Sequence, residues 1–342
     1  MNPFAWADAR TVSEAATAAS TIAADAMAGA PDVVARGQAS VVMAGGIDLL
    51  DLLKENLLTA GKVTSLRKIP GLDSIVEEDG GGLRIGSMVT LAELAAHPVV
   101  RQLYPALADT AQNSASPQIR NVATLGGNLL QRPRCWYFRA AEYHCARKGG
   151  NHCFALFGEN QYHAIFDNMP CAIVHPSTSA TALVALGARI ELTNAEGSVR
   201  NVLLEDFFVL PSKDIRREND LKPQEILTAI RLPPVPSSLR MAHLKLGEKD
   251  SFDWPLADVV VVLDIDQNQI CKRAGIVLGA AAPAPHRAKT AEAALIGKHI
   301  DESLAKEAAH AALDGATPLA KNAYKLPLFE VLVARAILKA MI

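Results

Sequence analysis

Four of the five cysteines fall between positions 135 and 171, as Cys135-x9-Cys145-x7-Cys153-x17-Cys171. Four thiolates are what a [4Fe-4S] cluster or a structural zinc ion requires. The spacing is looser than that of paired CxxC motifs, so it admits a cluster, a zinc ion or four unrelated core cysteines. His144, His152, His163 and His175 leave room for a mixed Cys/His zinc site, although each also suits a polar loop or a cap. Arg132, Arg134, Arg139, Arg147 and Lys148 would offset the negative charge of thiolate ligands, and Trp136, Tyr137 and Phe138 would keep water away. Cys271 stands alone on an expected strand and reads as structural.

Two double glycines, Gly45-Gly46 and Gly126-Gly127, each follow an apolar, strand-like segment. Glycine lets a backbone bend close to a ligand and leaves amides to donate to pyrophosphate oxygens. Asp48 or Asn128 would add side-chain hydrogen bonds. Each pair is also readable as a plain tight turn. Neither is a GxGxxG or P-loop pattern, so an ordinary nicotinamide or nucleoside-triphosphate site is not indicated. No GxSxG elbow or HExxH motif is present. The chemistry must therefore come from a cofactor.

The elements that would position these residues follow from periodicity and caps. Thr11 and Glu14 have capping-box spacing, ahead of an Ala-rich helix to about Met27. A loop is expected from Pro31 to Gln38, a buried strand at Ala39 to Ala44, a helix from Ile47 to Glu55 and a strand from Lys62 to Lys68. A hairpin turns at Asp79 to Gly82, and Thr90 with Glu93 opens a helix that Pro98 must end. Another helix runs from Pro105 to Asn113. Ser179 to Leu186 reads as a helix, and Ala188 to Leu192 and Glu225 to Leu232 read as strands. The proline run from Pro233 to Pro236 is the best domain boundary. Beyond it come three strands, Leu239 to Leu246, Ala257 to Ile265 and Ile270 to Leu278, then helices at Ala288 to Ile296, Glu302 to Leu313 and Leu326 to Lys339. Strands followed by helices imply an α+β domain.

At 342 residues the chain exceeds one ordinary core, and it has 50% hydrophobic and 20% charged residues with a net charge of −2. That balance excludes a polybasic nucleic-acid or membrane surface. No secretory leader or membrane-spanning run is evident, so a cytoplasmic protein is expected, exported only if a signal-bearing partner carries it to the periplasm. Clustered cysteines in such a chain are more often metal ligands than disulfides.

Met43 to Leu50, Leu83 to Gly86, Gln118 to Asn121, Ala123 to Asn128, Glu225 to Leu227, Ala284 to Ala288 and Ala291-Glu292 together resemble the FAD-binding middle subunit of molybdenum hydroxylases. The excursion from Cys135 to Cys171 narrows the likeness to bacterial aldehyde oxidoreductases of the periplasmic type, whose flavin subunit carries an extra [4Fe-4S] cluster. The resemblance implies an α+β protein. A two-lobed FAD domain of the vanillyl-alcohol-oxidase type would span 1–234, with lobes 1–68 and 69–234 and an iron-sulfur insert at 131–174. An α+β domain with a three-stranded antiparallel sheet would span 235–342. It places the pyrophosphate loop on Ala44, Gly45, Gly46, Ile47, Asp48 and Leu49, led in by Val42 and Met43. Thr124, Gly126, Gly127 and Asn128 form the second FAD motif. Leu227 and Lys245 fall near the isoalloxazine ring and Ser114 beside the flavin. Thr178 stands where relatives carry an aspartate, and Ile47 where they carry a threonine. Cys135, Cys145, Cys153 and Cys171 match the cluster ligands. The implied partners are a large subunit with the molybdenum cofactor, a small subunit with [2Fe-2S] clusters and an external electron acceptor. The alternative is a xanthine or aromatic acyl-CoA type of subunit whose insert binds structural zinc.

Overall fold

The computed structural model describes residues 1–27, 38–249 and 252–342. The loop expected from Pro31 to Gln38 lies, but for Gln38, outside them. The first lobe is a parallel sheet of β1 (Ala5–Asp8), β2 (Ser40–Met43) and β3 (Lys62–Ser65), with β3 in the middle. The helix Ile47–Lys54 forms the crossover that parallel β2 and β3 require, with Asp48 in its first turn and Lys54 in its last, as the helix dipole favours.

The second lobe is an antiparallel sheet of β4 (Ile75–Glu77), β5 (Leu83–Gly86), β6 (Arg189–Asn194), β7 (Val199–Leu203) and β8 (Glu225–Leu232), in the spatial order β4-β5-β8-β6-β7. The capping box forms as expected. Thr90 Oγ1 accepts from the Glu93 amide, Glu93 accepts from the Thr90 amide, and the helix Leu91–Ala96 stops at His97. Pro98 and Pro105 each open a further helix, Pro98–Leu103 and Pro105–Gln112, where proline's fixed φ fits the first helical position.

In the C-terminal sheet, β9 (Leu239–Leu246), β10 (Ala257–Ile265) and β11 (Cys271–Gly279) are antiparallel, and β12 (His286–Arg287) is added at the edge of β11. The expected three-stranded sheet therefore gains a fourth strand. It is only two residues long, and Pro283 and Pro285 beside it disguise it as a loop. β10 is buried almost throughout because both faces are covered. Val259 and Val261 pack with Phe329, Val333 and Ile337 of the helix Lys325–Met341, and Val260 and Val262 pack with the second lobe.

Three expectations change. The helix after Thr11 ends at Ala18, not near Met27. Ser40 Oγ donates to the Ala18 carbonyl and the Gln224 amide to that of Ala19, so tertiary hydrogen bonds replace the next turn of an Ala-rich helix. β1, mostly exposed and four residues long, was not foreseen. Gly126-Gly127 is not a turn after a strand but lies within a short helix, Leu125–Leu129, capped by Thr124.

The stretch 131–174 contains only brief helical turns. It has no separate core: Phe138 and Cys145 pack into the first lobe beside Leu52 and Val63, and Ile165 and Phe166 join the C-terminal core. Among the described residues no helix is long and apolar enough to cross a membrane.

Candidate functional site

A cavity of about 720 Å³ opens where the two lobes and β9 meet, a size within the range of cofactor sites. All sixteen positions assigned above to the flavin line it. Gly46 (φ 86°) turns the chain from β2 into the helix Ile47–Lys54, which has no side-chain cap. The first-turn amides of that helix therefore lack intrahelical acceptors and present partial positive charge, as a pyrophosphate requires.

Gly45 has a different task. A Cβ there would stand 2.2 Å from the Val122 carbonyl oxygen, so this glycine lets the segment before the second motif press against the first. A Cβ on Gly126 would meet the Ser87 side chain at 2.8 Å. The amides of the second pair are already engaged. Gly126 donates to Ser87 O at 2.8 Å, and Gly127 donates to Thr124 Oγ1 at 3.2 Å. The second motif thus shapes the wall, while the free donors belong to the first.

Asp48 does not point a spare carboxylate at the ligand. It accepts from the Arg132 amide at 2.8 Å, from Arg139 at 2.6 Å and from Arg134. Burial opposes its ionisation, but Arg134 and Arg139 outweigh burial and hold the carboxyl below its usual range. Two guanidiniums are thereby fixed at the cavity edge. Buried nitrogens with no acceptor remain on Arg132 (Nε and NH1) and Arg134 (Nε), and both residues line the cavity. An anionic ligand would satisfy such donors. The residues present therefore fit a dinucleotide diphosphate.

At the opposite side, Ser114 and Thr178 hydroxyls bond each other at 2.6 Å, and Ser114 also donates to the Thr110 carbonyl at 2.7 Å. Thr178 thus uses its hydroxyl within the protein. A register shift leaves Thr228 as an extra residue of β8 against β6, and adjacent Ile226 and Leu227 both reach the cavity wall. Lys245, near the end of β9, donates to the Asn113 carbonyl at 2.9 Å, and burial lowers its pKa against the pull of Asp258 and Asp253. Sequence reasoning did not place Arg132, Arg134 or Glu218 in this cavity. The two arginines follow the second glycine motif closely enough to have been suspected, whereas Glu218 lies in an irregular segment with no sequence signal.

The four clustered cysteines gather beside the cavity, with Cys171 within electrostatic reach of each of the other three. Cys135, Cys145 and Cys153 each precede a short helical turn, of residues Trp136–Arg139, Ala146–Lys148 and Phe154–Leu156. Backbone amides consequently face every sulfur: Phe138 and Tyr137 at Cys135, Lys148 and Arg147 at Cys145, Ala172 and Ala155 at Cys153, and Ile173 at Cys171. Burial pushes the Cys135 thiol up to about 12 and raises that of Cys145. Cys171 is pulled below the usual thiol range, first by the Cys153 thiol and then, against burial, by Arg147. His163 Nε2 is 3.2 Å from Cys135 Sγ, and burial with nearby Lys325 lowers this imidazole to about 4, so it is neutral. Among the described residues no three His, Cys, Asp or Glu side chains form a group that could hold a metal ion. Cys271 is buried in the C-terminal core, away from this group.

A parallel lobe and an antiparallel lobe closing on one cavity define a two-lobed FAD-binding protein with an α+β C-terminal domain. Residues 3–235 match the family described as the FAD binding domain in molybdopterin dehydrogenase, and residues 242–340 match the CO dehydrogenase flavoprotein C-terminal domain. The chain is 34% identical to the aldehyde oxidoreductase FAD-binding subunit PaoB of Escherichia coli K12, over 87% of this chain and 90% of PaoB. It is 27% identical to the putative xanthine dehydrogenase FAD-binding subunit XdhB of the same organism, over 78% of this chain and 75% of XdhB. In fold it is similar to the carbon monoxide dehydrogenase of Hydrogenophaga pseudoflava, with a TM-score of 0.73 and 24% identity, covering 100% of this chain and 99% of that one. The chain belongs to the FAD-binding subunits of the molybdenum hydroxylases, and it is an oxidoreductase subunit.

Proposed function

We propose that this chain is the electron-transfer subunit of an aldehyde-oxidising molybdenum hydroxylase and that Cys135, Cys145, Cys153 and Cys171 hold a [4Fe-4S] cluster beside the FAD. The carrying observation is that the four cysteines, two buried and two half-buried, gather beside the flavin cavity with amides facing every sulfur. Hydrogen bonds of this kind stabilise thiolates and set cluster potential. The aldehyde assignment rests on the likeness to PaoB and on the cysteine insert.

When bound, FAD and the cluster supply two-electron and one-electron exchange respectively. The protein's own residues bind and orient them. The uncapped helix Ile47–Lys54 with Arg132 and Arg134 would hold the diphosphate, and Leu227 and Lys245, on the cavity wall, would face the ring. Partner subunits carrying the molybdenum cofactor and [2Fe-2S] clusters would deliver electrons, and an external acceptor would remove them.

The test is iron, zinc, acid-labile sulfide and FAD content of anaerobically purified protein, repeated with Cys145→Ser. About four iron and four sulfide for each FAD, with iron lost in the variant, is the expected result. One zinc without sulfide would sink the cluster and leave a flavin subunit with a structural insert.

A further inference from the structure

Glu218 accepts from two guanidiniums on the same oxygen, Oε1: Arg132 NH2 at 2.9 Å and Arg147 NH1 at 2.6 Å. The exposures of Arg132, Arg147 and Glu218 are only 2%, 1% and 6%. Two cations on one carboxylate leave a net positive charge in the interior. Four nitrogens of these guanidiniums, Nε and NH1 of Arg132 and Nε and NH2 of Arg147, have no acceptor. Burying a cation with unsatisfied donors is costly, so the unit is one negative charge short and has unpaired donors at both ends.

The two ends face different places. Arg132 and Glu218 line the flavin cavity, whereas Arg147 does not and stands beside the Cys171 sulfur. We infer that Arg147, Glu218 and Arg132 form an electrostatic bridge between the cysteine site and the flavin cavity. Arg147 gives its spare N–H groups to the ligand sulfurs and Arg132 gives its own to FAD, so a charge change at one site alters the other through their shared carboxylate oxygen. These are positioning residues, since Arg147 acts on the flavin only through Glu218. Because both guanidiniums compete for Oε1, drawing Arg147 toward a more negative sulfur site lets Glu218 hold Arg132 more tightly. This inference rests on the cluster reading above.

The test is a potentiometric titration of the assembled enzyme, following flavin by absorbance and the cluster by electron paramagnetic resonance. Arg147→Gln removes a positive charge and is expected to lower both midpoint potentials, although Arg147 does not line the cavity. Glu218→Gln removes a negative charge and should raise both. In the double variant the flavin shift caused by Arg147→Gln should shrink, because its route is gone. Arg147→Lys keeps the charge and checks the fold, and it should restore most of the cluster potential. Full additivity in the double variant, or a shift confined to the cluster, would overturn the bridge while leaving the cluster in place. Absence of iron and sulfide from the unaltered enzyme would overturn both.

Discussion

Replacing Gly45 by alanine should empty the flavin site by a steric route that does not involve the ligand. The new Cβ would stand 2.2 Å from the Val122 carbonyl oxygen, 3.1 Å from its carbon and 3.3 Å from Ala123 Cα. All three are backbone atoms, and their segment is pinned: Val122 and Ala123 amides both donate to Ile119 O, and the Leu91 amide donates to Ala123 O. The overlap is therefore about 1 Å against ordinary van der Waals contact and no side chain can rotate to relieve it. Overpacking typically costs about 1–3 kcal/mol, and a clash with pinned backbone belongs at the upper end, about 3 kcal/mol. Gly187→Ala is the control. Gly187, unlike Gly45, is left-handed (φ 73°), but a Cβ there would meet nothing within 4 Å, so only the backbone penalty of about 1–2 kcal/mol applies. Urea unfolding of the flavin-free proteins gives the stability difference without the stabilisation that bound FAD adds by mass action. FAD per chain, from absorbance after denaturation, gives occupancy. Gly45→Ala with full FAD and an unchanged midpoint would refute the close-approach argument.

Arg139→Met leaves Asp48 with one guanidinium and takes the partner from Asp51. FAD affinity should fall about tenfold or more, the worth of one charge-assisted hydrogen bond, with little change in the circular dichroism of the chain. Thr178→Val removes the partner of Ser114 in a buried pair and should lower stability by about 1–2 kcal/mol while FAD content, measured by absorbance, stays near one per chain. Burial lowers Lys325 from 10.5 to about 7. Its folded value lies below its unfolded one, so the unfolded chain holds the extra proton between pH 7 and 10.5. Stability should therefore rise across that window by up to about 1.4 kcal/mol per pH unit relative to Lys325→Met, and become parallel to the variant below pH 7. Urea titrations at pH 7.5, 8.5 and 9.5 that keep a constant difference between the two proteins would contradict this.

Much of the fold was legible because local and tertiary preferences agree. β8, β9 and β10 begin and end where their apolar runs do, and the Thr90 capping box and Pro98 fix one helix completely. Disagreement arose where tertiary hydrogen bonds overrode propensity, as at Ala18 and Ala19, or where an element was too short to show a period, as in β1 and β12. The glycine pairs were readable because they carry shape constraints in their identity, whereas Ser114, Thr178, Leu227 and Lys245 were placed only by the family resemblance; all of them line the cavity. The partners of Asp48 were not legible in the sequence, for a physical reason. A carboxylate beside a pyrophosphate is unfavourable unless cations neutralise it, and those cations, Arg134 and Arg139, lie in the cysteine stretch. Nothing in the order of residues connects them to the helix they serve.

That dependence makes the cysteine stretch part of the flavin site. Phe138 and Cys145 share the first lobe's core, and Ile165 and Phe166 share the C-terminal core. Lys325 Nζ donates to Tyr162, His163 and Ala280 carbonyls, and Asn322 donates to those of His163 and Ala164, so the start of the last helix grips the stretch from the other side. A segment with no core of its own keeps one shape only if its neighbours impose it. Here they impose it from two domains at once, through charge at Asp48 and Glu218 and through carbonyl acceptors at Lys325. Any change that loosens either domain should therefore disturb the cysteines first, and any change at the cysteines should reach the guanidiniums at the mouth of the flavin cavity.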